Sequence, residues 1–354
     1  MKVALASAAD EKRWNEYVGS HPNSSPYHSY AWKKAMTEAY GLRCNYYLAC
    51  DKSGAVVGVF PTAQVAGLKR GRLCALPYCD LGAPLANNAV ISAALIQAVF
   101  DCADYSKVKT IDIRDSLNSP AEDIDPGTKV RMLLPLPETT EALFDGFKSK
   151  HRSQIRKAKK NGLTIETGTS PKLVDQFYSV YARNMRDLGS PPHSRSWHRA
   201  IVRSFGDSST VALVKHGEVV LGGGIVLRIG SKAAIPWAST LREFNHLAPN
   251  MLLYWELLAD SVRMGCTVFD FGRSTYGEGT YRFKAQWGST PLPLNWQHAT
   301  LVQGVDAEPA LQLTCATSSR RRSSKIALLE KTWRQLPVWL STSMGSKLRR
   351  YIDL

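Results

Sequence analysis

The chain has 354 residues and a formal net charge of +15, and it is 44% hydrophobic and 21% charged. This length and composition are ordinary for a soluble globular protein of roughly two or three domains. Its seven cysteines include no C-x-x-C pair, which argues against a disulfide framework and against a zinc site. Reduced, buried thiols and no bound metal are therefore expected.

The positive charge is confined to the part of the chain that follows residue 145. Residues 1–145 carry a net charge of −1, residues 146–305 carry +11, and residues 306–354 carry +5. Such an imbalance favours binding of an anionic partner by the second half of the chain.

Two apolar stretches raise the question of targeting or membrane insertion. The N-terminal run VALASAA has only seven residues before a charged cluster, so a first β-strand is preferred to a signal peptide. Residues 81–100 carry no charge, but they include Gly82 and Pro84, and their helical part is too short to cross about 30 Å of hydrocarbon. We expect a loop leading into a buried helix, no transmembrane segment, and a cytoplasmic protein.

Two pairs of segments recur along the chain in the same order. Residues 47–59 (YLACDKSGAVVGV) and 211–223 (VALVKHGEVVLGG) each read as a strand, a tight glycine turn and a Val-rich strand. Residues 109–116 (KTIDIRDS) and 267–274 (TVFDFGRS) each read as a short strand that follows an apolar helical stretch. The repeated order and similar spacing indicate an internal duplication.

The repeated unit has a mixed α/β (α+β) order, with an antiparallel hairpin that leads into a β-α-β crossover. In the second copy we predict helices at 144–160, 171–188, 194–205 and 250–263, and strands at 210–215, 219–229, 233–238 and 267–271. This order is typical of a GNAT-like N-acyltransferase fold, in which the substrate groove opens where neighbouring strands separate. We predict two tandem GNAT-like domains, 1–145 and 146–305, followed by a short basic amphipathic tail, 306–354.

Several motifs of the second copy resemble the FemAB-type family. They are DFGRS (270–274), GTYRFK (279–284), QWG (286–288) and the basic run KSKHRSQIRKAKKNGL (148–163). The chain is most similar to the FemAB-related proteins associated with exosortase/PEP-CTERM systems and exopolysaccharide clusters. The resemblance implies a tandem GNAT-like aminoacyl- or acyltransferase that modifies peptidoglycan or other cell-envelope precursors, with aminoacyl-tRNA as donor and no cofactor.

The resemblance also implies that Lys284 lies at the acyl-transfer site, where an ammonium can stabilise the oxyanion that develops on the donor carbonyl. Arg273 follows a strand directly, and with Gly272 beside it the guanidinium can hold a carboxylate or phosphate. Asp270 can act as a base for the attacking amine, orient Arg273, or cap the strand. A solvated Lys284 and a structural Asp270–Arg273 ion pair remain alternatives.

Aromatic residues accompany these groups in both copies. Tyr281, Phe283 and Trp287 can keep the groove dry and aligned, or they can belong to the core. In the first copy, Trp32 resembles the family's early tryptophan-containing acceptor site. Arg114 is the counterpart of Arg273, and Tyr78, Asp80 and Gly82 are expected to line the groove between the two halves.

Positive residues recur every three to four positions in the basic run, and Gly146–Ile165 contains no acidic residue. The residues expected to contact phosphates are Lys148, Arg152, Arg156, Lys157 and Lys160. A stripe about 18 Å long can reach several phosphates, so tRNA or a pyrophosphate-linked precursor is the expected partner. The alternative is that the basic stripe is only a solvated helix face that binds no partner. His151 is expected on the surface of the same helix.

The donor remains open between aminoacyl-tRNA and acyl-CoA. Residues 241–250 (LREFNHLAPN) lack the glycine-rich turn with which GNAT enzymes bind the CoA pyrophosphate at a helix start. An acyl-CoA-dependent N-acyltransferase acting on an amino sugar is therefore a weaker alternative. A non-catalytic module that binds a precursor or RNA is the other.

The tail combines a basic linker, SSRRRSSK (318–325), with an apolar, tryptophan-bearing segment interrupted by Pro337. Such a segment suits the surface of an anionic membrane, where it would make peripheral contact with the inner face. A helix packed back on the body of the protein is the alternative.

Overall fold

The computed structural model describes residues 1–66, 71–103, 108–117, 123–303, 309–315, 324–349 and 351–352. In the first half the elements are β1 (Lys2–Leu5), α1 (Glu11–Ser20), α2 (Tyr30–Tyr40), β2 (Cys44–Cys50), β3 (Val56–Val65), β4 (Gly71–Cys74), β5 (Leu85–Ala86), α3 (Ala89–Asp101), β6 (Val108–Ser116) and β7 (Lys129–Pro135). The predicted N-terminal strand and the helix after the uncharged loop are both present.

The second half begins with two short helices and ends with the tail. Its elements are α4 (Thr140–Gly146), α5 (Ser149–Lys160), β8 (Leu163–Gly168), α6 (Pro171–Leu188), α7 (Arg195–Phe205), β9 (Ser209–His216), β10 (Val219–Ile229), β11 (Lys232–Thr240), α8 (Pro249–Arg263), β12 (Val268–Thr275), α9 (Gly279–Ala285), β13 (Thr290–Gln303), β14 (Pro309–Cys315), α10 (Ser324–Arg334) and α11 (Val338–Leu348).

Local signals explain the elements that the sequence predicted best. Helix α6 starts after Ser170, whose hydroxyl accepts from the Leu173 N–H, and it ends at Gly189, whose φ is 79°. Ser194 caps α7 in the same way. Strand β10 has the predicted bounds.

Two local predictions were wrong. The predicted helix 144–160 is broken, because Phe147 is extended and its buried ring packs against Trp287. The stretch after β12, expected to be a loop, contains the short helix α9.

Across the described residues, fourteen strands form one mixed sheet. The main path runs β1-β2-β3-β4-β6-β13-β7-β12-β11-β10-β9-β8. In each half an antiparallel hairpin, β2–β3 or β9–β10, is followed by a parallel pair joined through a helix, β4–β6 or β11–β12. The structure therefore contains the tandem GNAT-like units that the repeats predicted.

The two halves exchange a strand at the centre of the sheet. Strand β7, from the first half, pairs with β12 of the second, while β13, from the second half, pairs with β6 of the first. Strands β7 and β13 also pair with each other. A linear division at residue 145 therefore does not separate the strands in space.

One large hydrophobic cluster contains residues from both halves. At its centre Trp32 of α2 packs edge-on against Trp197 of α7, with ring centroids 5.2 Å apart, and stacks on Trp237 of β11 at 6.1 Å. Trp32 and Trp197 are completely buried, so this contact fixes the two halves against each other.

The described part of the tail packs back on the body. Arg186 of α6 donates to the Leu336 carbonyl, and a side chain placed at Gly345 of α11 would meet Pro192 at 2.5 Å. Residues 318–323 of the basic linker lie outside the described residues. No helix in the described ranges is both long and apolar enough to cross a bilayer.

Candidate functional site

The candidate site lies where strands β11 and β12 separate. The two strands are paired only from Lys232 and Val268 to Ala234 and Asp270, and beyond that point they diverge. A cavity of about 280 Å³ occupies the gap, and its wall includes Trp237, Gly272, Arg273 and Lys284. The first half contributes Tyr78 and Asp80 to the same wall.

Gly272 gives this wall its shape. The register of β12 against β7 shifts between Asp270 and Arg273, and Gly272 has a φ of 71°. A bulge of this kind turns the following side chain, and the positive φ favours glycine. Arg273 and the carbonyl groups beside it therefore face the cavity.

Lys284 projects from α9 toward that bulge. Its Nζ donates to the carbonyl oxygens of Gly272 at 3.1 Å and of Arg273 at 2.8 Å. Burial lowers the pKa of Lys284 to about 8, against the opposing effect of the Asp270 and Asp80 carboxylates. An ammonium has three N–H donors, so one remains for a ligand in the cavity.

Arg273 and Asp80 form an ion pair between the two halves. Arg273 Nε lies 3.4 Å from Asp80 Oδ1, and the Arg273 backbone N–H donates to Asp80 Oδ2 at 3.2 Å. The Arg273 guanidinium also lies over the Trp296 ring, 5.3 Å from its centroid. Asp80 Oδ1 is buried and accepts no hydrogen bond from the described residues, and its contact with Arg273 Nε is the ion pair at 3.4 Å.

Asp270 lies beneath the cavity rather than on its wall. One carboxylate oxygen accepts from Arg131 Nε at 2.8 Å, and the other accepts from the Gly272 backbone N–H at 2.8 Å. Its side chain is only 3% exposed. Both carboxylate oxygens hold the bulge, so the contacts give Asp270 a structural position, and its role as a base stays a prediction. In place of the alternative Asp270–Arg273 pair, the structure has the pairs Arg131–Asp270 and Asp80–Arg273.

Arg114, the counterpart of Arg273, has a structural position. It is 3% exposed, and its Nη1 donates to the carbonyls of Leu76 and Cys79, both at 2.9 Å. These bonds hold the turn that presents Tyr78 and Asp80. Tyr78 has a φ of 70°, uncommon for a bulky side chain, so its backbone is strained at the cavity wall.

Comparison with known proteins identifies the domain around Lys284. Residues 146–285 match the family model described as "Acetyltransferase (GNAT) domain". This segment is therefore similar to a GNAT acetyltransferase domain. No curated protein matches the sequence.

Solved structures show the same fold over most of the chain. FemX is 16% identical with a TM-score of 0.65, over 82% of this chain and 95% of that one. A tandem GNAT protein from the clavulanic acid biosynthesis pathway is 15% identical with a TM-score of 0.51, over 87% and 99%. The C-terminal domain of a protein assigned as a lysylphosphatidylglycerol synthetase from Agrobacterium fabrum is 12% identical with a TM-score of 0.52, over 82% and 91%. The chain therefore has a tandem GNAT-like fold.

The aromatic residues predicted to contact substrate lie behind the cavity. Trp32 and Trp287 are fully buried, and neither lines the cavity. Phe283 packs edge-on against Tyr254, with ring centroids 5.0 Å apart, and Tyr281 packs against Tyr276 at 4.7 Å. Tyr281, Phe283 and Trp287 therefore pack within the segment around Lys284, Trp32 packs between the two halves, and Trp237 forms part of the wall itself.

The basic residues of the GNAT domain lie on and beside α5. Lys148, Arg156, Lys157 and Lys160 are exposed, whereas Arg152 donates to the Asp145 carbonyl at 3.0 Å and is partly buried. The predicted surface position of His151 was wrong. Its ring is buried, and its centroid lies 4.0 Å from that of Trp287. Through this contact α5 is packed next to the residues that follow Lys284.

The start of α8 is where a GNAT domain would bind the pyrophosphate of CoA. Pro249 is the first residue of α8 and has no N–H to offer. The Asn250 side chain already accepts from the Thr240 hydroxyl at 3.0 Å. Geometry and sequence therefore agree that this helix start is poorly suited to a phosphate.

A second and larger cavity, of about 440 Å³, lies beside β6, β7 and α3. Its cations are already bonded, because Lys232 donates to the His21 carbonyl and the Ser24 hydroxyl, and Arg131 pairs with Asp270. In the described part of the chain, no cluster of three or more His, Cys, Asp or Glu side chains is arranged to hold a metal. The Lys284 cavity is therefore the better candidate for chemistry.

Sequence reasoning gave Asp80 only a lining role and did not single out Tyr27, His193 or Arg349, all of which line the Lys284 cavity. These residues come from four separate segments, and no local motif marks them. The expected lining positions of Tyr78 and Asp80 agree with the structure, whereas the walls formed by Tyr27, His193 and Arg349 had no sequence signal.

Proposed function

We propose that the chain is a FemAB-type transferase that moves an aminoacyl or acyl group onto an amine of a peptidoglycan, cell-envelope or exopolysaccharide precursor. The observation that carries this proposal is the half-buried Lys284 ammonium, held by two backbone carbonyls beside Asp80 and Arg273. Association with a PEP-CTERM system stays a prediction.

The cavity contains the groups that such a reaction needs. The amine nitrogen attacks the donor carbonyl, the new C–N bond forms, and negative charge develops on the carbonyl oxygen. The remaining Lys284 N–H stabilises that oxyanion. Asp80 Oδ1 accepts the proton that the amine loses, and the bond to the leaving oxygen of tRNA, or the sulfur of CoA, then breaks as that atom gains a proton. Arg273 anchors an anionic part of the acceptor or donor.

The exposed cations at 148–160 and the unsuitable start of α8 support aminoacyl-tRNA as donor. The acetyltransferase family match favours the alternative, an acyl-CoA-dependent N-acyltransferase acting on an amino sugar. The test is to measure the affinity of the protein for aminoacyl-tRNA and for acetyl-CoA under the same conditions. Tighter binding of acetyl-CoA, with no affinity for tRNA, would replace the first proposal by the second.

A non-catalytic binding module makes a different prediction. In that case Lys284 and Arg273 can be replaced without loss of function, whereas the basic residues at 148–160 cannot.

Neutralising the exposed charges of the basic stripe should weaken RNA binding. A variant with Lys148, Arg156, Lys157 and Lys160 replaced by glutamine has up to four fewer cations with which to neutralise phosphates. The slope of log K against log salt should become shallower by about 0.7–0.9 for each phosphate that is no longer neutralised. Filter binding of tRNA over a range of salt concentrations measures this slope.

The matched control replaces Lys12 and Lys52, exposed lysines of the first half, by glutamine. An unchanged slope in the stripe variant, or an equal change in the control, would contradict a tRNA site on α5.

The outward face of the tail supports peripheral contact with an anionic membrane. The most exposed large apolar side chains there are Leu328, Leu329 and Trp339, at 66%, 69% and 71% exposure. Basic residues of the same helices, Lys331, Arg334 and Lys347, accompany them. Apolar burial and charge attraction then act together at a lipid surface.

Vesicle sedimentation tests this contact. Wild type should pellet with phosphatidylglycerol vesicles and remain in solution with phosphatidylcholine vesicles. Replacing Leu329 and Trp339 by serine should abolish pelleting, whereas Val90→Ser, which changes an exposed valine on α3, should not. Equal pelleting of all three proteins would refute the membrane contact.

A further inference from the structure

The C-terminal helix contributes a buried cation to the Lys284 cavity. Arg349 follows α11 directly, is 8% exposed, and lines the cavity together with Arg273 and Lys284. Its Nε donates to the Pro191 carbonyl at 3.1 Å, and its own carbonyl accepts from the Tyr78 hydroxyl at 3.1 Å. Hydrogen bonds therefore hold both the side chain and the backbone of Arg349 in place.

Within the described ranges Arg349 has no carboxylate partner. Two other arginines of the sheet differ in this respect: the buried Arg228 pairs with Asp260 at 3.0 Å, and the partly buried Arg131 pairs with Asp270. The neighbours of Arg349 on the cavity wall are Tyr78, Tyr181 and His193. Burial, and secondarily the charge of Arg349 itself, hold the pKa of His193 well below its ordinary value, so this neighbour is neutral at pH 7.

A guanidinium removed from water is costly unless an anion or a full set of hydrogen bonds compensates it. Among the described residues, the one bond that the Arg349 side chain makes, to the Pro191 carbonyl, uses one of its five N–H donors. The fork of a guanidinium matches the two oxygens of a carboxylate or phosphate. With Arg273 and Lys284 on the same cavity wall, the site is arranged for a negatively charged group.

We propose that Arg349 binds a carboxylate or phosphate group of a substrate, so that the C-terminal helix completes the substrate site. This inference rests on the proposed function only in placing the substrate in the Lys284 cavity. The docking of α11 is specific, because Gly345 lies against Pro192 so closely that a methyl group would not fit without movement. The tail therefore forms part of the cavity wall and also presents the exposed apolar and basic residues described above.

Titration calorimetry with inorganic phosphate and, separately, with acetate tests the proposal at constant ionic strength. Arg349→Met should weaken binding of the anion that the site prefers by about 10- to 100-fold, the size expected for a charge-assisted hydrogen bond. Arg349→Lys should show an intermediate loss. The control Lys172→Met, an exposed cation on α6, should bind like wild type.

Gly345→Ala provides a second route if Arg349→Met does not fold. It displaces α11 without changing any charge and should also weaken anion binding, whereas Gly146→Ala, where a methyl group meets nothing within 4 Å, should not. Wild-type affinity in both Arg349→Met and Gly345→Ala would overturn the proposal, as would failure of wild type to bind either anion. Anion binding does not require transfer, so loss of the proposed activity and loss of this site are distinguishable.

Discussion

Replacing Lys284 by alanine should lower the transfer rate by about 10²-fold, the usual loss when one oxyanion donor is removed. The Lys284 ammonium is held by the Gly272 and Arg273 carbonyls, so no neighbouring cation can take its position without breaking that geometry. The rate constant should fall more than the substrate affinity, because the oxyanion exists only in the transition state. Single-turnover kinetics would measure this difference.

The dependence of the transfer activity on pH gives an independent check of the role of the Lys284 ammonium. Burial lowers the pKa of Lys284 to about 8, so the ammonium that stabilises the oxyanion is present below this pH and is lost above it. Wild-type activity should fall as the pH rises through about 8, and this fall should be absent from the residual activity of Lys284→Ala.

The neighbouring Arg282 is exposed on the same short helix and serves as the matched control. Arg282→Ala should keep both the rate and the profile of wild type. Wild-type turnover by a folded Lys284→Ala protein would remove Lys284 from the mechanism.

Asp80→Asn should cause the second largest loss of transfer rate. The substitution preserves the size of the side chain but removes the carboxylate that faces the cavity and pairs with Arg273. Loss of a general base of this kind costs about 10²-fold or more in rate. Steady-state kinetics at several acceptor concentrations would separate the two roles: a base lowers kcat, whereas an anchor for Arg273 raises KM.

The control removes a carboxylate from another buried ion pair. Asp260 pairs with Arg228 outside the cavity, so Asp260→Asn should lower stability without a specific loss of activity. Unchanged kcat and KM in a folded Asp80→Asn protein would show that the Asp80–Arg273 pair is only structural.

The duplicated strands show why equivalent residues differ in role. Asp112 and Asp270 occupy the same place in the two copies, and each contacts a side chain of a central strand. His298 on β13 contacts Asp112 at 2.7 Å, whereas Arg131 on β7 contacts Asp270 at 2.8 Å. Only the second copy has Gly272 and Lys284 after its aspartate. Because both residues line the cavity, the end of this strand forms part of the cavity wall.

The amino-acid sequence by itself determined the local units and their order. Glycine turns, capping serines and apolar periodicity act over a few residues, so the hairpins, α6, α7 and the tandem GNAT-like fold were predictable. Lys284 was marked by the resemblance to the FemAB-type family, and Arg273 by its place beside Gly272 at the end of a predicted strand.

Only the tertiary structure decided which side chains meet. The exchange of β7 and β13 brings Arg131 to Asp270, the turn held by Arg114 brings Asp80 to Arg273, and the packing of α11 brings Arg349 to the cavity. Arg131 and Asp270 are 139 residues apart, and Asp80 and Arg273 are 193 residues apart, so these contacts depend on strand pairing and core packing rather than on local periodicity. Sequence could therefore locate the Lys284 wall and suggest Tyr78 and Asp80 as lining residues, while the pairing of Asp80 with Arg273 and the C-terminal wall required the fold.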